Sequence, residues 1–118
     1  MSRLVTCFDV VSMVVEEATN QFSPVWKLDD EKYKILGQYC GVIDALAKEF
    51  DGESYEVEVD DIKMDIIISL ECQDITIENH QHKYYELISR AKSFGFSTSK
   101  NGNLSVNFVF PSVWKKVI

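Results

Sequence analysis

The chain has 118 residues, 46% of them hydrophobic and 26% charged, with only five glycines and two prolines. That is one domain's length with a globular balance, which excludes disordered, collagen-like and low-complexity chains. Nineteen acids against twelve bases leave a net charge of −7, the opposite of the basic footprint that phosphate contacts require, so nucleic acid is not an expected partner.

From the N-terminus, Leu4, Phe8, Val11, Val15, Ala18 and Phe22 step by three and four, with Cys7, Val10 and Val14 widening the stripe. This is the helical period, and it predicts a first helix with a broad buried face. Ser23-Pro24 breaks it. Asp29 or Asp30 then caps a second helix with acids in its first turn. Its core stripe is Ile35, Tyr39, Val42, Leu46 and Phe50, flanked by Leu36, Ile43 and Ala47. Gly37 and Gly41 each cost this helix about 1 kcal/mol relative to alanine. With Ala45 they form a small-residue ridge, expected to let the first helix pack closely through Val11, Val15 or Ala18. Asp51-Gly52 ends the helix, Gly52 being suited to a left-handed cap.

The period then changes from 3.6 to 2. Tyr55, Val57 and Val59 alternate with Glu56, Glu58 and Asp60, and Ile62, Met64, Ile66, Ile68 and Leu70 alternate with Lys63, Asp65, Ile67, Ser69 and Glu71. A two-residue turn at Asp60-Asp61 would face Val59 with Ile62, Val57 with Met64 and Tyr55 with Ile66 on one side. The other side would then set Glu58 against Lys63 and Glu56 against Asp65. Ile75 and Ile77 suggest a short third strand over 74–78. Asn79 caps a third helix with the stripe Tyr84, Leu87, Ile88, Ala91 and Phe94, closed by Gly95. In the last hairpin, a three-residue loop, Lys100-Asn101-Gly102 with Gly102 left-handed, pairs Phe96 with Val106 and Thr98 with Leu104. Phe108 and Phe110 extend the same apolar face. Pro111 stops the strand, and Ser112 caps a short C-terminal helix carrying Val113, Trp114, Val117 and Ile118. The expected fold is one α+β domain over 1–118: two layers, an antiparallel sheet of about five strands covered on one face by helices.

Cys7, Cys40 and Cys72 share no CxxC spacing and lie in apolar patterns, as reduced, buried thiols in a cytoplasmic protein do. Asp9 interrupts the apolar N-terminus before any signal-peptide core is complete. The longest aliphatic run, Ile66-Ile67-Ile68, falls far short of the ~20 residues that span a bilayer. No membrane association is expected.

Motifs for chemistry are sparse. Ser97-Thr98-Ser99-Lys100 has the S-x-x-K form, but on a strand rather than at the helix start that such a serine needs. Phosphate loops and nucleophile elbows are absent, so no catalytic residue and no cofactor are assigned. His80-x-His82, with Cys72 upstream and Glu86 one turn beyond, is the one set with metal-ligand chemistry. It supports an alternative reading, a small metal-dependent enzyme or regulator. Charge placement favours a different one. Residues 1–50 carry a charge of −3, residues 51–78 one of −9, and residues 79–118 one of +5. The outer sheet face would gather Glu56, Glu58, Asp65 and Glu71 around Ile67 and Val109, an open acidic surface with a small apolar centre. In size, acidity and element order, residues 29–118 resemble the type III secretion chaperones, an architectural likeness that no motif carries. The expected function is therefore a non-catalytic, chaperone-like or adaptor-like protein-binding module, self-associating as a homodimer.

Overall fold

The structure, a computed structural model, describes residues 5–73, 85, 89 and 91–118. They form an α+β fold in the order α1 (Cys7–Phe22), β1 (Trp26–Leu28), α2 (Asp30–Glu49), β2 (Gly52–Val59), β3 (Ile66–Cys72), β4 (Ser93–Thr98), β5 (Leu104–Phe110) and β6 (Trp114–Lys116). The strands make two antiparallel sheets rather than one, a four-stranded sheet ordered β2-β3-β5-β4 and a two-stranded ribbon β1-β6. The expected strand over 74–78 and most of the third helix lie outside the described residues.

Local chemistry accounts for both described helices. In α1, the Thr6 hydroxyl accepts from the Asp9 N–H while the Asp9 carboxylate accepts from the Thr6 N–H, a reciprocal box that satisfies two donors of the first turn. That box, with burial of Cys7, Val11, Val15 and Ala18, holds helical a segment whose β-branched valines disfavour it. In α2, Asp29 is the N-cap and accepts from the N–H groups of Glu31 and Lys32. Its buried stripe is Leu36, Cys40, Ile43, Leu46 and Ala47, one residue round from the expected one. Ile35 and Val42 consequently face out, 49% and 44% exposed.

The glycine ridge holds at Gly37, which approaches α1 through Phe8 rather than Val11, Val15 or Ala18, and is corrected at Gly41. A Cβ on Gly41 would meet nothing within 4 Å, and one on Gly37 would meet only the Phe8 ring, at 3.3 Å. The two helices meet around Phe8, which also lies 5.7 Å from the Tyr33 ring. Gly41 and Ala45 are exposed. The end of α2 is corrected as well. The left-handed residue is Asp51, at φ 51°, whereas Gly52 already belongs to β2 and needs its missing side chain for space.

The first hairpin keeps its expected faces and loses its expected register. Val59 pairs with Ile66, Val57 with Ile68 and Tyr55 with Leu70. Each partner is four residues further on, so parity is preserved. The two-residue turn is replaced by a loop over 60–65. Asp60 accepts at its carboxylate from the Ile62 and Lys63 N–H groups and at its carbonyl from Met64 N. Met64 is left-handed at φ 59°, and Ile62 is 90% exposed. Neither expected pair, Glu58–Lys63 or Glu56–Asp65, forms. Glu58 faces Ile67, and Glu56 faces Ser69.

The second hairpin matches expectation. Phe96 pairs with Val106 and Thr98 with Leu104, with Gly102 left-handed at φ 82°. The strand begins earlier than expected, at Ser93, so Phe94 and Gly95 are strand residues rather than a helix end. Phe94 lies opposite Phe108 with its ring 5.3 Å away. The final segment is also a strand. Pairing Trp26–Lys116, Lys27–Lys115 and Leu28–Trp114 satisfies its backbone in place of helical hydrogen bonds. Val113 and Trp114 are both buried.

The core lies between the helices and one face of the larger sheet. Ile66, Ile68, Leu70, Cys72, Val106, Phe108 and Phe110 supply the sheet side. Tyr39 of α2 stacks on Phe110 at 5.4 Å, and Trp114 sits edge-on to Phe22 at 5.4 Å with its indole N–H donating to Thr19. No described helix is long and apolar enough to cross a membrane.

Candidate functional site

The opposite face of the larger sheet carries no described helix. Strand alternation and register set its side chains in three rows. One row runs Glu58, Ile67, Val109, Ser93, the next Glu56, Ser69, Asn107, Gly95, and the third Ser54, Glu71, Ser105, Ser97. Five of the six residues expected on this face therefore share it. The sixth is corrected. Asp65 is buried, and its carboxylate pairs with the Lys92 ammonium at 2.8 Å. The longer loop draws it off the strand, and burial requires that partner.

The rows differ in what they have left to offer. Asn107 is the hub of the centre: it accepts from the Ser69 and Ser105 hydroxyls at 2.9 and 3.2 Å and donates to Ser97 at 3.0 Å. Glu71 is still more committed. It accepts from Ser99 at 2.7 Å, Asn103 at 2.9 Å, Asn101 at 3.2 Å and Ser54 at 3.3 Å. Those donors, the Ser99 hydroxyl foremost, hold its carboxyl below the ordinary glutamate value. Glu71 thus fastens the β4–β5 loop to β3. Glu53 has a similar duty, accepting from Gln73 and Asn103. A shallow concavity of about 330 Å³ opens over this polar end, between Glu56, Ser69, Glu71 and Asn107.

Glu56 and Glu58 are exposed and have no side-chain partner among the described residues. Beside them, Ile67 and Val109 lie directly across from one another, both half-buried. Two uncommitted carboxylates next to two adjoining aliphatic side chains make an arrangement suited to binding, with attraction at long range and a dry contact at short range.

Of the metal-ligand set only Cys72 is among the described residues. Cys72 is buried on the core side of β3. His80, His82 and Glu86 lie outside the described residues. Among the described residues no three histidines, cysteines or acids converge on a point that could hold a metal.

Two further features escaped the sequence reading. Asp44 of α2 uses one carboxylate oxygen to accept from the Cys7 N–H at 2.8 Å and from the Tyr55 hydroxyl at 2.7 Å. It thereby ties the positive end of α1 to α2 and β2. The Cys7 thiol is pushed up, first by its hydrogen bond with Cys40 and then by burial, and the Tyr55 hydroxyl is pushed up by burial and by Asp44. Both shifts oppose ionisation, so this cluster is built for cohesion rather than nucleophilic chemistry. A cleft of about 460 Å³, lined mainly by Ile35, Leu36, Tyr39, Phe110 and Val113, lies between α2 and the end of β5. The only sequence signal for Asp44 is an acid set beside Ile43 and Ala47.

No family model matches the chain, and no curated protein or solved structure is detectably similar to it.

Proposed function

We propose that this protein is a non-catalytic interaction domain whose binding surface is the outer face of its four-stranded sheet. The reading is supported foremost by Glu56 and Glu58, which have no side-chain partner among the described residues and lie beside the Ile67–Val109 pair. Ser54, Ser69, Glu71, Ser97, Ser105 and Asn107 of that face are hydrogen-bonded to one another, which holds the backbone beneath the patch in one geometry. A partner fitting this surface presents cations around a small aliphatic centre. Steering by the carboxylates sets the rate of encounter, and the aliphatic contact sets the residence time.

The test is a titration of isotope-labelled protein with a lysine-rich peptide carrying a central isoleucine, followed by amide shifts at low and high salt. Shifts should concentrate on Glu56, Glu58, Ile67 and Val109, weaken as salt rises, and vanish in a Glu56→Lys/Glu58→Lys chain. Shifts scattered over the helix N-termini, with none on the sheet, would overturn the assignment.

A further inference from the structure

We propose that the partner of the outer sheet face is the β1–β6 ribbon of a second copy of this chain, an inference that rests on the binding role given to that face. The ribbon is longer than its strands alone, because Asp29 N donates to Val113 O at 2.8 Å and Val117 N to Val25 O at 2.9 Å, one at each end. Alternation divides its side chains. Trp26, Leu28 and Trp114 are the partly or fully buried set, with Trp114 anchored to Thr19 and Phe22. Val25, Lys27, Lys115 and Val117 therefore project from the other side. Both lysines are exposed, and the valines are 38% and 50% exposed.

The pairing within this patch is unusual. Lys27 lies directly opposite Lys115, where like charges repel, and neither has an acidic partner among the described residues. Val25 and Val117 adjoin one row further along the same side. The ribbon thus presents two cations beside two aliphatic side chains. The sheet face presents Glu56 and Glu58 beside Ile67 and Val109, the same composition in the opposite sign. Each patch is two rows deep, and rows two residues apart stand ~7 Å from one another on an antiparallel ladder, so the two patches are of similar extent. A polyanion is a poorer occupant of the ribbon, because the whole chain carries −7 and would be repelled from it.

A contact between two different patches is heterologous. It closes into a two-fold dimer if both contacts form within one pair, and otherwise extends into a chain of copies. Either way its mass depends on concentration and salt. Light scattering at low salt should give more than the mass of one chain, falling to a single chain at about 1 M salt, where screening acts within ~3 Å. Glu56→Lys/Glu58→Lys and Lys27→Glu/Lys115→Glu chains should each scatter as monomers, since each opposes like charges across the contact. Mixed in equal amounts they should associate again. So should the fourfold variant, which has the parent's net charge of −7. Far-ultraviolet dichroism and urea midpoints check that each variant is folded.

A parent monomeric under all conditions would overturn the proposal, as would mixed variants that fail to associate or a heavier species indifferent to both reversals. Binding of the parent ribbon to anionic vesicles, abolished by Lys27→Glu/Lys115→Glu without any change in mass, would give the ribbon to a membrane surface instead and also overturn it. If the charge swap fails while the lysine-rich peptide still docks on the sheet, only the second copy is lost. If the peptide leaves the sheet untouched, both readings fall.

Discussion

Gly52→Ala adds one methyl group, and the structure gives it nowhere to go. The new Cβ would lie 2.7 Å from the Ala47 Cβ, 2.8 Å from Leu70 Cδ1 and 3.0 Å from the Ala47 Cα. Carbon atoms rest at about 3.5–4.0 Å, so all three contacts are deeply repulsive. Leu70 can turn its methyl aside only into a filled core, since it is fully buried. Ala47 cannot turn at all: its Cα and Cβ move only with α2. Overpacking of this kind costs about 1–3 kcal/mol, and the alanine recovers at most about 1 kcal/mol by restricting the unfolded chain. The net loss of about 1–2 kcal/mol should lower a urea midpoint by roughly 1 M at an ordinary slope for a small domain.

The measurement is urea unfolding followed by dichroism. Asp51→Gly is the control, because Asp51 is the residue that occupies the left-handed region, and it should shift stability by less than about 0.5 kcal/mol. Adding Ala47→Gly to Gly52→Ala should recover part of the loss, a coupling that contact between the two sites requires. A Gly52→Ala chain unfolding at or above the parent's midpoint would refute the close approach of α2 to β2.

Gly41→Ala should stabilise by about 1 kcal/mol, because Gly41 is an open position inside a helix where alanine is the better residue; a lower melting temperature would mean that something packs against it. Glu71→Gln should weaken the fold at neutral pH, and the gap from the parent should close on acidification. The sign follows from its depressed pKa, since such a carboxyl stabilises fully above its ordinary value near 4.5 and loses that contribution as pH falls through the folded value. A gap in urea midpoint unchanged between pH 7 and about pH 3 would show that the Ser99, Asn101 and Asn103 bonds to Glu71 contribute nothing specific to the ionised form.

Where sequence reasoning succeeded, a local rule had no competitor. Asn101-Gly102 admits two loop lengths, but only one buries both Phe96 and Val106. Asp29 caps α2 because its carboxylate and the first-turn N–H groups are neighbours in the chain. The β2–β3 hairpin shows the limit of such rules. Loops of two and six residues leave the paired strands with the same parity, so apolar alternation cannot tell them apart. The Asx turn at Asp60 and the left-handed Met64 decide between them. Trp26–Leu28 is too short to show a period, and its partner lies some ninety residues away, so neither β1 nor β6 was legible. Gly52 and Gly41 were misread for a related reason. A glycine in a sequence does not say whether it serves backbone freedom, close approach or neither. Only the neighbours brought in by the fold distinguish them.

The same distinction locates the candidate site. A charge of −9 over 51–78 marks a region but cannot name a surface, because an acid can serve the fold as well as a partner. The internal duties must be removed first. Asp60 closes its own loop. Asp65 is held by Lys92, and Glu71 and Glu53 are held by the amides and hydroxyls around them. Along β2 and β3 that leaves Glu56 and Glu58, one strand from Ile67 and two from Val109. Two carboxylates kept in water beside an aliphatic pair add nothing to the core and little to the sheet. Under the proposed reading their value to the molecule lies in what approaches from outside, and among the described residues the Lys27–Lys115 pair, set against its own like charge, has the matching deficit.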